Sequence, residues 1–77
     1  MNIEQIKFVV KHLPTKSIFG FSNRKEANKK AEQLNRDYVI ANRITRSKAL
    51  IFTFHSYLQW CAAEELSITE ALQFDNY

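Results

Sequence analysis

Residues 49–63 read Ala49-Leu50-Ile51-Phe52-Thr53-Phe54-His55-Ser56-Tyr57-Leu58-Gln59-Trp60-Cys61-Ala62-Ala63, a segment more apolar than one helix face can use. At about 100° per residue, one stripe of this segment contains Leu50, Phe54, Tyr57, Leu58 and Cys61. A second stripe on the far side contains Ala49, Phe52, Ser56, Trp60 and Ala63. Two apolar stripes predict that the segment packs against two different neighbours.

The start of this segment fits two secondary structures. Leu50, Phe52 and Phe54 alternate with their neighbours, which fits a strand followed by a helix from Ser56. However, residues 45–48 lack the Gly, Asn or Pro that a tight hairpin prefers, and Ser47 is a suitable N-cap. We therefore favour one helix from Ser47 to about Leu66.

Upstream, the sequence predicts a β-hairpin. Ile6 to Leu13 alternates with a period of two, with Ile6, Phe8 and Val10 on the better-buried face. Residues 14–16 begin with the only proline and form a turn, and Ser17 to Phe21 returns as the second strand. Gly20 within that strand predicts a bulge or a close backbone approach.

Two capping boxes predict helix starts. Asn23 and Glu26 open a helix whose narrow apolar stripe contains Ala27, Ala31, Leu34 and Tyr38. Residues 38–44, rich in β-branched and apolar side chains, are then predicted as the third strand. Ser67 and Glu70 open a short C-terminal helix that extends through Leu72.

The resulting fold class is α+β. We expect a single small ββαβα domain over residues 1–77, with a three-stranded, mostly antiparallel sheet, two helices on one face and a short C-terminal helix. A chain of 77 residues builds one modest core, and its 45% apolar composition with ten aromatic residues argues against disorder.

The composition also limits the class of protein. Cys61 is the only cysteine, so no disulfide can form within the chain. The longest apolar runs, such as residues 49–52, are far shorter than the roughly 20 residues of a membrane span, and residues 1–5 do not resemble a signal peptide. We expect a cytoplasmic protein with no membrane association.

Catalytic and metal chemistry have little support in the sequence. Only His12, His55 and Cys61 are candidate metal ligands, and residues 55 and 61 fall on different faces of a helix. A single glycine excludes a phosphate-binding loop, and no Ser or Cys lies in a Gly-rich turn. We expect a non-enzymatic protein with no metal, no cofactor and no small-molecule substrate.

Basic residues are concentrated in the middle third of the chain. Residues 24–48 contain eight basic and three acidic side chains, whereas residues 49–77 contain four acidic ones. Nucleic-acid binding by this surface is therefore the alternative function, although a solvated helix face explains the same pattern. The candidate residues are Arg24, Lys25, Lys29, Lys30, Arg36, Arg43, Arg46 and Lys48.

The second stripe of residues 49–63 supports the leading function, a protein-binding module that acts by interaction or occlusion, as a homodimer or with another protein. Phe52 and Trp60 are the candidate anchors, because aromatic side chains among small neighbours are typical of interface hot spots. Ser56, Ala63 and Tyr57 complete the candidate partner-binding set. In the alternative arrangement the chain's own tail folds back, and Ile68, Leu72 and Phe74 cover the two anchors.

Overall fold

The computed structural model of the chain describes residues 3–42 and 49–75. A 3-10 turn, Ile3–Gln5, precedes two strands, β1 (Phe8–His12) and β2 (Ser17–Phe21). The chain continues through α1 (Arg24–Asn42), β3 (Ala49–Thr53), α2 (Phe54–Ala63) and α3 (Ile68–Ala71). The strands form one antiparallel sheet in the order β2-β1-β3. The predicted fold class, a small α+β domain with a three-stranded antiparallel sheet and a short C-terminal helix, is confirmed.

The predicted hairpin is present. Strands β1 and β2 pair without interruption from Phe8 opposite Phe21 to His12 opposite Ser17. His12 is buried at the turn, with its Nδ1 2.7 Å from Thr15 Oγ1, and burial lowers the pKa of its imidazole. The strand pairing is unbroken at Gly20, which excludes a bulge there. Of the two predicted alternatives, the close approach to the Gly20 backbone is therefore the one present. A Cβ at Gly20 would lie 2.6 Å from Ile6 Cδ1.

Helix α1 begins where predicted but ends later. Asn23 Oδ1 accepts a hydrogen bond of 2.8 Å from the Glu26 backbone N–H, as its N-cap position requires. The predicted third strand over residues 38–44 is wrong, because α1 continues to Asn42; residues 43 and 44 lie outside the described chain. No Gly or Pro interrupts residues 24–42, so the helix propagates through a segment of moderate β-propensity.

The third strand is instead β3, in the segment for which we favoured a helix. The predicted helix from Ser47 to Leu66 is therefore wrong over residues 49–53, and the strand-then-helix alternative describes the structure better. The actual N-cap of α2 is Thr53, whose Oγ1 accepts a hydrogen bond of 3.1 Å from the Ser56 backbone N–H. Ser47 lies outside the described residues.

The helices cover both faces of the sheet. Val9 and Val10, adjacent in the central strand β1, are both fully buried. Val10 packs with Ala27 and Ala31 of α1, whereas Val9 packs with residues of α2 and α3, including Tyr57. Because adjacent strand residues point to opposite faces, α1 and α2 lie on opposite sides of the sheet. The expected placement of both helices on one face is wrong in this respect.

A sharp turn returns the chain from α2 to α3. The Leu66 N–H donates to the Cys61 carbonyl at 2.9 Å, and the Glu65 N–H donates to the Ala62 carbonyl at 3.1 Å. Glu65 has a φ of 60°, so these bonds form a Schellman motif at the end of α2. The predicted capping pair then starts α3, since Ser67 Oγ accepts from the Glu70 N–H at 3.2 Å.

We expect Gly20→Ala to lower the free energy of unfolding by about 1–3 kcal/mol, because the new methyl group overlaps the buried Ile6 side chain. Ile6→Val removes Cδ1, so the double variant should lose less stability than the two single variants together. Urea denaturation of the four proteins measures this coupling. Equal stability of Gly20→Ala and the unchanged chain would contradict the close approach.

Candidate protein-binding groove

A groove of about 1150 Å³ lies on the α2 side of the sheet. One part of its lining comes from the sheet and the hairpin turn, and the other part from α2 and the chain that follows it. Apolar side chains contribute much of this surface, namely Leu13, Leu50, Trp60, Leu66 and Leu72. Charged side chains also line it, namely Lys11, Lys16, Glu64, Glu70 and Asp75.

The Trp60 ring packs against two other aromatic rings. Its ring centroid lies 5.7 Å from that of Phe52 and 6.5 Å from that of Tyr57. Phe52 and Tyr57 are in turn 6.0 Å apart. Contacts on this scale hold an aromatic ring in a defined orientation. The half-buried Trp60 therefore presents a fixed apolar surface to the groove.

The structure separates the five predicted partner-binding residues. Trp60 lines the groove, and Phe52 is half-buried behind it. Tyr57 is fully buried and donates a hydrogen bond of 2.6 Å to the Ala71 carbonyl, so its predicted role in partner contact is wrong. Burial raises the pKa of the Tyr57 phenol, and the neighbouring Cys61 thiol adds to this effect. Ser56 and Ala63 are exposed on α2 and do not line the groove.

The tail packs against the same apolar cluster as Phe52 and Trp60, and Leu72 is partly buried there. Ala71 and Phe74 are buried, and the Phe74 ring lies 6.2 Å from that of Tyr57. Ile68 is 76% exposed, so its predicted covering role is wrong. Leu58, a member of the first apolar stripe, is 37% exposed and is not part of the core. The tail thus closes over Tyr57 and leaves Trp60 beside an open groove.

Lys11 is a groove residue that the sequence analysis missed. It lies on β1 opposite Ile18 and Leu50, and its side chain is only 9% exposed. Its ammonium nitrogen is 5.6 Å from the centroid of the Trp60 ring. The alternation of residues 6–13 assigned Lys11 to the less-buried face, which is instead covered by α2. The consecutive valines at 9 and 10 are the signal that could have revealed burial on both faces.

The tail is tied to the edge of the sheet by Asp75. Its backbone N–H donates to the Ile18 carbonyl at 2.7 Å, and its carboxylate accepts from the Ile18 N–H at 2.7 Å. These bonds occupy both backbone groups of one residue in the edge strand β2. They also fix the side of the groove that the tail forms.

The candidate nucleic-acid residues on α1 form two groups. Arg24 and Lys30 lie over aromatic rings of the sheet. Arg24 Cζ is 5.1 Å from the centroid of the Phe8 ring, and Lys30 Nζ is 4.5 Å from that of the Phe19 ring. The other three are exposed, namely Lys25, Lys29 and Arg36. Arg43, Arg46 and Lys48 lie outside the described residues.

Within residues 3–42 and 49–75, no three His, Cys, Asp or Glu side chains are grouped so that they could hold a metal ion. None of the helices described has the length and apolar character needed to cross a membrane. His55 is exposed and its Nε2 lies 3.1 Å from the Gln59 amide nitrogen, while Cys61 is a buried free thiol.

Comparison with known proteins finds no relative. No model of a protein family matches the chain, and neither a curated protein nor a solved structure is significantly similar to it.

Proposed function

We propose that this chain is a protein-binding module and that it takes up a segment of another protein in the groove beside Trp60. The observation that carries this proposal is the position of Trp60, whose ring is half-buried, supported by Phe52 and open to the groove. Tryptophan in such a setting is the side chain most enriched among interface hot spots.

The distribution of polar side chains around the groove supports the same function. Glu64, Glu70 and Lys16 are exposed, whereas Trp60, Leu66 and Leu72 are partly buried. An apolar centre with a charged rim is the usual anatomy of a protein interface.

Binding explains the groove better than catalysis does. Among the described residues that line it, none is Ser, Thr, Cys or His, the side chains that most often act as nucleophiles or proton carriers. Two of its carboxylates already have structural partners, because Asp75 accepts from the Ile18 N–H and Glu70 accepts from the Ser67 hydroxyl at 3.1 Å.

Substitution of Trp60 tests this proposal. We expect Trp60→Ala to weaken the binding of peptides selected from a random nine-residue library by about thirtyfold or more, as loss of a hot spot does. Leu58→Ala is the matched control, because Leu58 is an exposed apolar residue of the same helix that does not line the groove. Affinities can be followed by the fluorescence of Trp60, the only tryptophan, and by calorimetry for the alanine variant.

Leu58→Ala should bind the selected peptides within about twofold of the unchanged chain. Equal binding by Trp60→Ala, with the fold intact by circular dichroism, would contradict the proposal. The solution mass identifies self-association: a dimer that dissociates on Trp60→Ala would make a second copy of the chain the groove's partner.

One observation favours nucleic-acid binding as a second candidate function. At 3.6 residues per turn, the exposed Lys25, Lys29 and Arg36 fall within about 40° of one another on α1. Glu32 lies in the middle of this stripe and reduces its positive potential, so the groove remains the better-supported site.

The salt dependence of DNA binding tests this candidate. Replacing Lys25, Lys29 and Arg36 together by Gln should reduce the slope of log affinity against log salt by about 2.7, because three phosphate contacts are removed. A short DNA duplex titrated at several KCl concentrations provides the measurement. Absence of binding by the unchanged chain at low salt would eliminate this function.

A further inference from the structure

The Lys11 side chain is unusual for a lysine in a small domain. It is more than nine-tenths buried, and it lines the groove together with Trp60. Among the described residues, Asn35 Oδ1 is the one buried side-chain nitrogen or oxygen without a hydrogen-bond partner, so the Lys11 ammonium group itself is not buried. The stem of Lys11 is enclosed and its charged end reaches the water of the groove. Within residues 3–42 and 49–75, no carboxylate lies within 4.0 Å of the Lys11 ammonium nitrogen. This nitrogen lies over the Trp60 ring, 5.6 Å from the ring centroid.

The acidic side chains around the groove do not neutralise Lys11. The Asp75 carboxylate is held by the Ile18 N–H, and the Glu70 carboxylate accepts from the Ser67 hydroxyl. Glu64 is exposed on the rim, where its charge is solvated. The ammonium group lies over the Trp60 ring, and its N–H groups are bonded to no side chain of the groove. The groove therefore contains a donor with unused capacity for hydrogen bonds to an anion.

We propose that Lys11 receives an Asp or Glu side chain of the protein segment bound in the groove. This inference rests on the proposed function and specifies the chemistry of its partner. A carboxylate placed against Lys11 forms a charge-assisted hydrogen bond that the bound segment itself covers from water, while apolar neighbours in the same segment contact Trp60 and Leu50.

The charges of the rim specify the ends of the segment. Glu64 and Glu70 are exposed at the groove and repel an acidic flank. Lys16 is also exposed on the rim and repels a basic flank, so the bound segment has one central acidic residue between apolar residues and a basic residue at the end that lies beside Glu64 and Glu70.

A paired peptide library tests this inference directly. Each nine-residue peptide is made in two forms, with Glu or with Gln at the central position, between Leu, Val or Phe and with Lys at one end or the other. Both termini are blocked, so that the central side chain provides the only carboxylate. The unchanged chain should bind the Glu form about tenfold or more tightly than its Gln partner.

Lys11→Met should lose this preference while keeping the apolar contacts, because methionine reproduces much of the buried stem without the charge. Lys11→Arg should retain it. Lys16→Met is the matched control, since Lys16 is an exposed lysine at the same groove. Thermal melting followed by circular dichroism shows whether each variant is folded. The comparison of Glu and Gln peptides on the unchanged chain does not depend on any variant.

The outcomes separate this inference from the proposed function. Equal binding of the Glu and Gln forms by the unchanged chain overturns the role of Lys11 and leaves the groove as a protein-binding site. A Glu preference that survives in Lys11→Met also overturns it. If neither form of any paired peptide binds while peptides from the random library do, the inference fails and the proposed function stands. If no peptide from either library binds, both fail.

Discussion

The central strand of the sheet is buried on both faces, and the rest of the structure depends on this constraint. Val9 and Val10 point to opposite sides and neither is exposed to solvent, so the sheet requires a layer of helix on each side. The long helix α1 supplies one layer with small side chains, Ala27 and Ala31, which allow close approach. The other layer comes from the ten residues of α2 and the four of α3. Beside this shorter layer the groove remains open.

Directional bonds hold the shorter layer in place. A helix of four residues has no stability of its own in water. Here the Tyr57 hydroxyl bonds the Ala71 carbonyl, and Asp75 forms two bonds with Ile18 at the sheet edge. Burial of Phe74 adds an apolar contribution to the same attachment. The groove is thus built on a rigid frame, and a ligand that enters it meets a surface that is already ordered, which reduces the entropic cost of binding.

Local signals in the sequence predicted local structure well. The strand at residues 8–12, the proline turn and the caps at Asn23 and Ser67 each depend on neighbours a few positions away, and each is present in the structure. The predicted secondary structure fails at residues 38–42 and 49–53, where helix and strand patterns overlap, and pairing with β1 makes the second of these a strand. At the site, the surplus of apolar residues identified Trp60. The apolar surplus could not reveal that the Tyr57 hydroxyl donates a hydrogen bond to Ala71, fourteen residues away. It also could not reveal that Lys11 lies on the face of the sheet that α2 covers.

The secondary structure of residues 49–53 determines the shape of the proposed binding surface. As one helix, this segment would have displayed Phe52 and Trp60 about two turns apart on one exposed stripe. As strand followed by helix, it places Phe52 in the sheet behind Trp60 and brings Leu50 beside Lys11. The proposed binding surface is therefore a groove with sheet on one side and helix on the other, rather than the flat face of a helix. Such a groove would contact an extended segment from both sides, and the Lys11 ammonium group in its lining would allow selection by charge as well as by shape.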